Sequence, residues 1–193
     1  PSYPTSEDLM NCLEFRTGFS HLSALGLSFD AWVFFHQIPR LTALAQQFPD
    51  VNIVLNHCGG ILGIGGYAGS RDDVFKHWRT AMAELAMCSN VTVKIGGLGM
   101  ALSGFGFEKL PHAPSSEILA QAWQPWIQTC IDLFGASRCM FESNFPVDKG
   151  SYGYVNGWNA MKRLAADLTV DERHALFYGT AQRNYKLEHA SST

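Results

Sequence analysis

Four short, β-branched apolar runs recur along this chain, and each ends abruptly in polar residues followed by glycine or proline. Val51 to Leu55 gives way to Asn56 and His57 before Cys58-Gly59-Gly60, and Val91 to Ile95, which carries Lys94, stops at Gly96-Gly97. Phe29 to Phe35 leads into His36-Gln37, and Arg138 to Phe141 leads into Glu142-Ser143-Asn144 before Pro146. Runs this apolar suit strands buried on both faces, which is the condition of a parallel sheet covered by helices. In such folds ligands gather at the carboxyl ends of the strands, so these polar residues are the first candidates for chemistry.

Between the runs the periodicity changes from two to 3.6. Thr5 or Ser6 is expected to cap a first helix that Gly26 closes, and Pro39 opens a second that carries Leu41, Leu44 and Ala45. Ser70 precedes a third with Val74, Trp78, Met82 and Leu85, and Ser115 or Ser116 a fourth that Gly135 ends. Helices from Tyr152 to Ala166 and Thr169 to Tyr185 follow, the latter opened by the capping box of Thr169 and Glu172. The expected fold is α/β, with about four parallel strands and flanking helices. It fits either half of a (β/α) TIM barrel or a small doubly wound sheet.

At 193 residues and 47% hydrophobic, the chain can bury a core as one domain, 1–193. A net charge of −3 without a basic cluster offers no footprint for nucleic acid or an anionic membrane, which leaves a small-molecule substrate as the expected partner. Five scattered cysteines, none in a C-x-x-C pair, argue against a disulfide framework or zinc ribbon and for a reducing, cytoplasmic compartment. No apolar run approaches the roughly 20 residues that span a bilayer. The chain begins at Pro1, from which an upstream N-terminus is expected.

Alternation along a strand through Phe141 would put Glu142 and Asn144 on one face, with Ser143 opposite. His57 is the candidate for holding a substrate carbonyl, and Lys94 for binding a substrate carboxylate as a point charge. His36 and Gln37 are further substrate-binding candidates. Gly59 and Gly60 begin a glycine-rich loop whose amides could approach an anion. Within it, Gly63-x-Gly65-x-x-Ala68 formally matches a dinucleotide fingerprint, but the expected strand does not directly precede it. A non-catalytic half barrel, serving as a folding or binding module, is the alternative from another class.

Taken in order, Phe29 to Trp32, Gln37, Pro39, Asn56 to Gly60, Val93 to Gly97, Phe134 to Pro146 and Gly179-Thr180-Ala181 with Tyr185 resemble the amidohydrolase-related TIM-barrel hydrolases, relatives of 2-pyrone-4,6-dicarboxylate lactonase. The resemblance covers nearly the whole chain and implies the C-terminal half of a barrel, truncated at its N-terminus. It would leave two open sheet edges to pair with the missing half or in a homo-oligomer. It implies hydrolysis of an ester, lactone or amide. In it His57 matches a histidine that binds metal or polarises a carbonyl, and Asn144 stands where the family usually has an aspartate base. An amide takes no proton at useful pH, so the expectation is that Glu142 handles the proton and Asn144 orients water or substrate. The cofactor is left open. The family implies a divalent metal such as zinc, with His57 as a ligand, whereas the amide at 144 removes a carboxylate ligand and metal-free members exist.

Overall fold

The computed structural model describes residues 9–187. Four strands, β1 (Ser28–Ala31), β2 (Asn52–Leu55), β3 (Val91–Ile95) and β4 (Cys139–Phe141), form one parallel sheet in the order β1-β2-β3-β4. Phe29 pairs with Ile53, Leu55 with Val93, and Ile95 with Phe141. Each strand lies beside its predecessor, so the sheet has no point at which the order reverses. A doubly wound sheet needs that reversal, and its absence removes the doubly wound alternative. Successive right-handed crossovers in one direction instead put the three crossover helices on the same face, as in part of a barrel.

The crossovers are α2 (Ile38–Gln47), α3 (Arg71–Ala86) and α4 (Ser116–Phe134), preceded by α1 (Leu13–Ala24) and followed by α5 (Tyr154–Leu164). The chain closes through α6 (Val170–His174), a π-helical turn (Ala175–Gly179) and α7 (Thr180–Tyr185). Sequence signals explain the boundaries. Gly26, at φ 63°, closes α1 while the Leu27 and Gly26 amides bond back to Leu22 and Ser23. Ser115 caps α4, and Thr169 with Glu172 forms the expected capping box. The Thr5 or Ser6 cap lies outside the described residues.

The helix-facing residues Ile53, Leu55, Val91, Val93 and Ile95 pack with Leu41, Leu44, Trp78, Met82, Leu85, Trp123 and Ile127 in the core. The Arg138 guanidinium ties the layers together by donating to the carbonyls of Ala86, Cys88 and Phe134, two of them in helices that end there. The opposite face alternates, with Asp30, Val54, Thr92, Lys94 and Met140. Val54 and Met140 are buried yet stand outside the helix-side core. Among the described residues no helix is long and apolar enough to cross a membrane.

Two strands are shorter than the sequence suggests. β1 ends at Ala31, whose carbonyl takes the Asn56 amide in the last bond before β2 turns away. Residues 32–34 have no ladder left to join, and His36 sits on a 3-10 turn (Phe35–Gln37) rather than at a strand end. β4 ends at Phe141, and Asn144 adopts φ 51°, so strand alternation does not govern Glu142 and Asn144.

Candidate active site

Beyond Leu55 the chain enters an unusual turn. His57, Cys58, Gly59 and Gly60 have φ values of 55°, 51°, 72° and 61°, four successive left-handed residues of which two carry side chains. That conformation costs a non-glycine residue about 1–2 kcal/mol, so tertiary bonds must hold it. The Gly59 amide bonds to the Asn56 carbonyl, and the buried Trp78 indole donates to the Cys58 carbonyl at 2.7 Å. The His57 amide itself donates to Glu142 Oε1 at 3.2 Å.

That carboxylate oxygen also lies 2.6 Å from His57 Nδ1. A carboxylate only accepts, so Nδ1 carries the proton, and in the neutral ring Nε2 presents its lone pair. Residues 85 positions apart are thus locked by two bonds to one oxygen, with side chains only 19% and 15% exposed. The loop after β3 makes this possible by lacking side chains. A Cβ on Gly97 would lie 2.7 Å from the His57 ring, and one on Gly96 would lie 2.5 Å from Glu142. The Trp32 ring meets the imidazole edge-on, with centroids 4.7 Å apart.

A second carboxylate stands behind the first pair. Asp148, fully buried, accepts from Asn144 Nδ2 at 2.7 Å, from the Tyr152 hydroxyl at 2.9 Å and from the Gly99 amide at 3.1 Å. Burial makes it a weaker acid than an ordinary aspartate, an effect that these three bonds oppose. Burial and the neighbouring Asp148 charge push the Tyr152 phenol upward as well, keeping it a donor. A cleft of about 490 Å³ opens beside it, walled by Phe107, Leu110, Phe145, Ser151, Tyr152 and Tyr154.

The other expected residues are placed as follows. His57 and Glu142 meet, whereas Asn144 leaves the strand path and bonds to Asp148. Lys94 points to the inner sheet face, where it pairs with Asp30 at 2.8 Å and lies over the Tyr185 ring. Burial alone would lower its pKa, but the hydrogen bonds and charges of Asp30 and Tyr185 outweigh that and raise it. Gln37 accepts the Phe34 amide as part of a cap. His36 lines a separate cleft of about 470 Å³ with Phe35, Tyr67, His77 and Glu84, which His57 does not reach.

Gly59 and Gly60 are buried. A Cβ on Gly60 would strike the Val33 carbonyl, so their observed part is close packing. The Gly63 amide is taken by the Leu102 carbonyl, and β2 ends eight residues earlier, in keeping with the argument from sequence against a dinucleotide fingerprint. Asp148, Tyr152 and Trp32 were not singled out by sequence. For Asp148, the available signal is an acidic residue four positions past Asn144, in the loop that follows the strand.

Comparison with known proteins settles the lineage of this geometry. The Amidohydrolase (Amidohydro_2) family model matches residues 1–187. The chain belongs to the amidohydrolase family. The protein y4mH of Sinorhizobium fredii is 36% identical over 186 residues, covering 96% of this chain and 56% of that protein. The L-fucono-1,5-lactonase of Burkholderia ambifaria is 31% identical over 169 residues, covering 86% of this chain and 52% of the enzyme. An amidohydrolase from Burkholderia multivorans, solved with bound zinc, superposes with a TM-score of 0.80 at 27% identity over 94% of this chain and 60% of that one. The amidohydrolase chain described here therefore spans about half the length of the curated relatives it matches. Its sheet is half of a TIM barrel.

The zinc of that relative tests the donor set in this chain. Among the described residues no three His, Cys, Asp or Glu side chains come together as ligands. His57 Nδ1 is taken by Glu142, and Asn144 turns its NH2 to Asp148, which leaves Nε2 as one donor where a catalytic zinc uses about three. The described residues do not by themselves fit the metal.

Proposed function

We propose that the protein hydrolyses an ester bond of a small substrate, with a lactone as the favoured class. The contact between Glu142 and His57 Nδ1 carries this reading, because it fixes the tautomer that leaves Nε2 free as a base. Nε2 takes a proton from water, the hydroxide oxygen adds to the lactone carbonyl, and collapse breaks the ring C–O bond. The departing alkoxide recovers the proton from Nε2, and the product is a hydroxy acid. Glu142 holds the imidazolium instead of moving the proton itself, which revises the role expected from sequence.

The lactone class is supported by relatives named L-fucono-1,5-lactonase. A cytoplasmic setting is part of the same proposal, supported by five cysteines that form no disulfide with one another. Proton release from a panel of sugar-acid lactones, L-fucono-1,5-lactone first, tests it against His57→Gln and Glu142→Gln. Each change is expected to lower kcat/KM by about a hundredfold or more. Equal rates in wild type and both variants would dispose of the mechanism.

A further inference from the structure

Asn144 has no acid–base chemistry of its own, and its value to a site depends on which corner of its amide faces the substrate. The surroundings answer that question. Its Nδ2 lies 2.7 Å from Asp148 Oδ1, and its carbonyl accepts the Asp148 amide at 3.1 Å, so the two residues are bonded in both directions. Both carboxylate oxygens are acceptors, so an amide flipped about χ2 would set oxygen against oxygen. The NH2 therefore faces Asp148, and Oδ1 occupies the opposite corner.

Asp148 is also joined to the β3 loop. Its Oδ2 receives the Gly99 amide at 3.1 Å and the Tyr152 hydroxyl at 2.9 Å, while Ser151 Oγ donates to the Gly99 carbonyl at 2.5 Å. That loop brings Gly96 and Gly97 against Glu142 and His57. A carboxylate that is wholly buried, saturated by three donors and shared between two loops is well placed to set geometry and badly placed to meet substrate.

We infer that Asp148 is a positioning residue of this site: it locks the Asn144 amide with Oδ1 outward, as an acceptor for the attacking water or a substrate hydroxyl. The inference rests on the hydrolase reading for its chemical consequence and on geometry alone for the lock. Asp148→Asn keeps the shape but replaces one acceptor oxygen by NH2, so either Asn144 must flip or the Gly99 amide loses its partner.

Two measurements decide it. In the first, NMR follows exchange of the Asn144 side-chain Nδ2 protons. In wild type they should exchange at least about tenfold more slowly than those of exposed Asn11, and Asp148→Asn should abolish the difference. Tyr152→Phe keeps the carboxylate and should leave the protection in place, which serves as the variant arm if Asp148→Asn does not fold. In the second, lactone hydrolysis is measured across a double-mutant cycle. Asp148→Asn should lower kcat about tenfold with little change in KM, and in an Asn144→Ala background it should cost less than about twofold.

Wild-type Nδ2 protons as labile as those of Asn11, or additive losses across the cycle, would overturn the proposal. If the protein hydrolyses no lactone, the hydrolase reading falls, while the exchange measurement still upholds or removes the lock.

Discussion

Two hydrogen-bonded pairs of nearly equal length each place a carboxylate against a nitrogen base, and they are built in opposite ways. Lys94 and Asp30, 2.8 Å apart, stand on regular strands, and the lysine reaches over β2 to a partner two strands away. Nothing in their backbone is unusual, and Tyr185 from α7 completes the cluster by donating to Asp30. His57 and Glu142, 2.6 Å apart, stand just past the strand ends, the histidine opening a run of four left-handed residues, over two glycines that have no room for a Cβ. A charged pair is therefore poor evidence of function by itself. What separates the two is the strain and close approach accepted to build one of them.

The comparison breaks first at Gly97. A Cβ there, at φ 66° and 2.7 Å from the imidazole, must push His57 away from Glu142. Gly97→Ala is expected to lower kcat/KM by about a hundredfold, as misplacing a catalytic group by about 1 Å does. Gly66→Ala, where a Cβ meets nothing within 4 Å, is the matched control in the same lactone assay.

Lys94→Met attacks the other cluster. Because Asp30 is 38% exposed, solvent screens the pair, and the expected loss is about 1–2 kcal/mol in denaturant unfolding. A selective rise in KM would return Lys94 to the substrate-binding role expected from sequence. Tyr185→Phe removes the hydroxyl bonds to Asp30 at 2.9 and 3.0 Å and should cost about 1 kcal/mol in the same experiment.

The smallest effect is a slope. Asp148 holds its proton more tightly folded than unfolded, so the native state binds more protons above the usual aspartate pKa of about 3.9. Its contribution to stability is full below that value and is lost as pH rises through its folded pKa. The stability of Asp148→Asn relative to wild type should therefore improve as pH rises from about 4 toward neutrality. A flat difference across that window would mean that burial does not govern this carboxylate.

Local patterns in the sequence determined the elements of this fold. Short β-branched runs, Pro39, Ser115, the box of Thr169 and Glu172, and Gly26 act over one helical turn or one strand, and the structure keeps each of them. His57 and Glu142 could be nominated the same way, because the end of a parallel strand is visible as the place where an apolar run stops. Tertiary structure alone decided what those residues do. Whether β1 continues past Ala31 depends on β2 still running beside it, and whether Asn144 follows strand alternation depends on a loop that places Asp148 beneath it. Lys94 and Asp30, 64 positions apart, became partners because sheet curvature brings β1 and β3 within reach across β2. Contacts between distant segments leave no periodicity in a sequence, so the site's membership was legible at the strand ends and its geometry only in the folded chain.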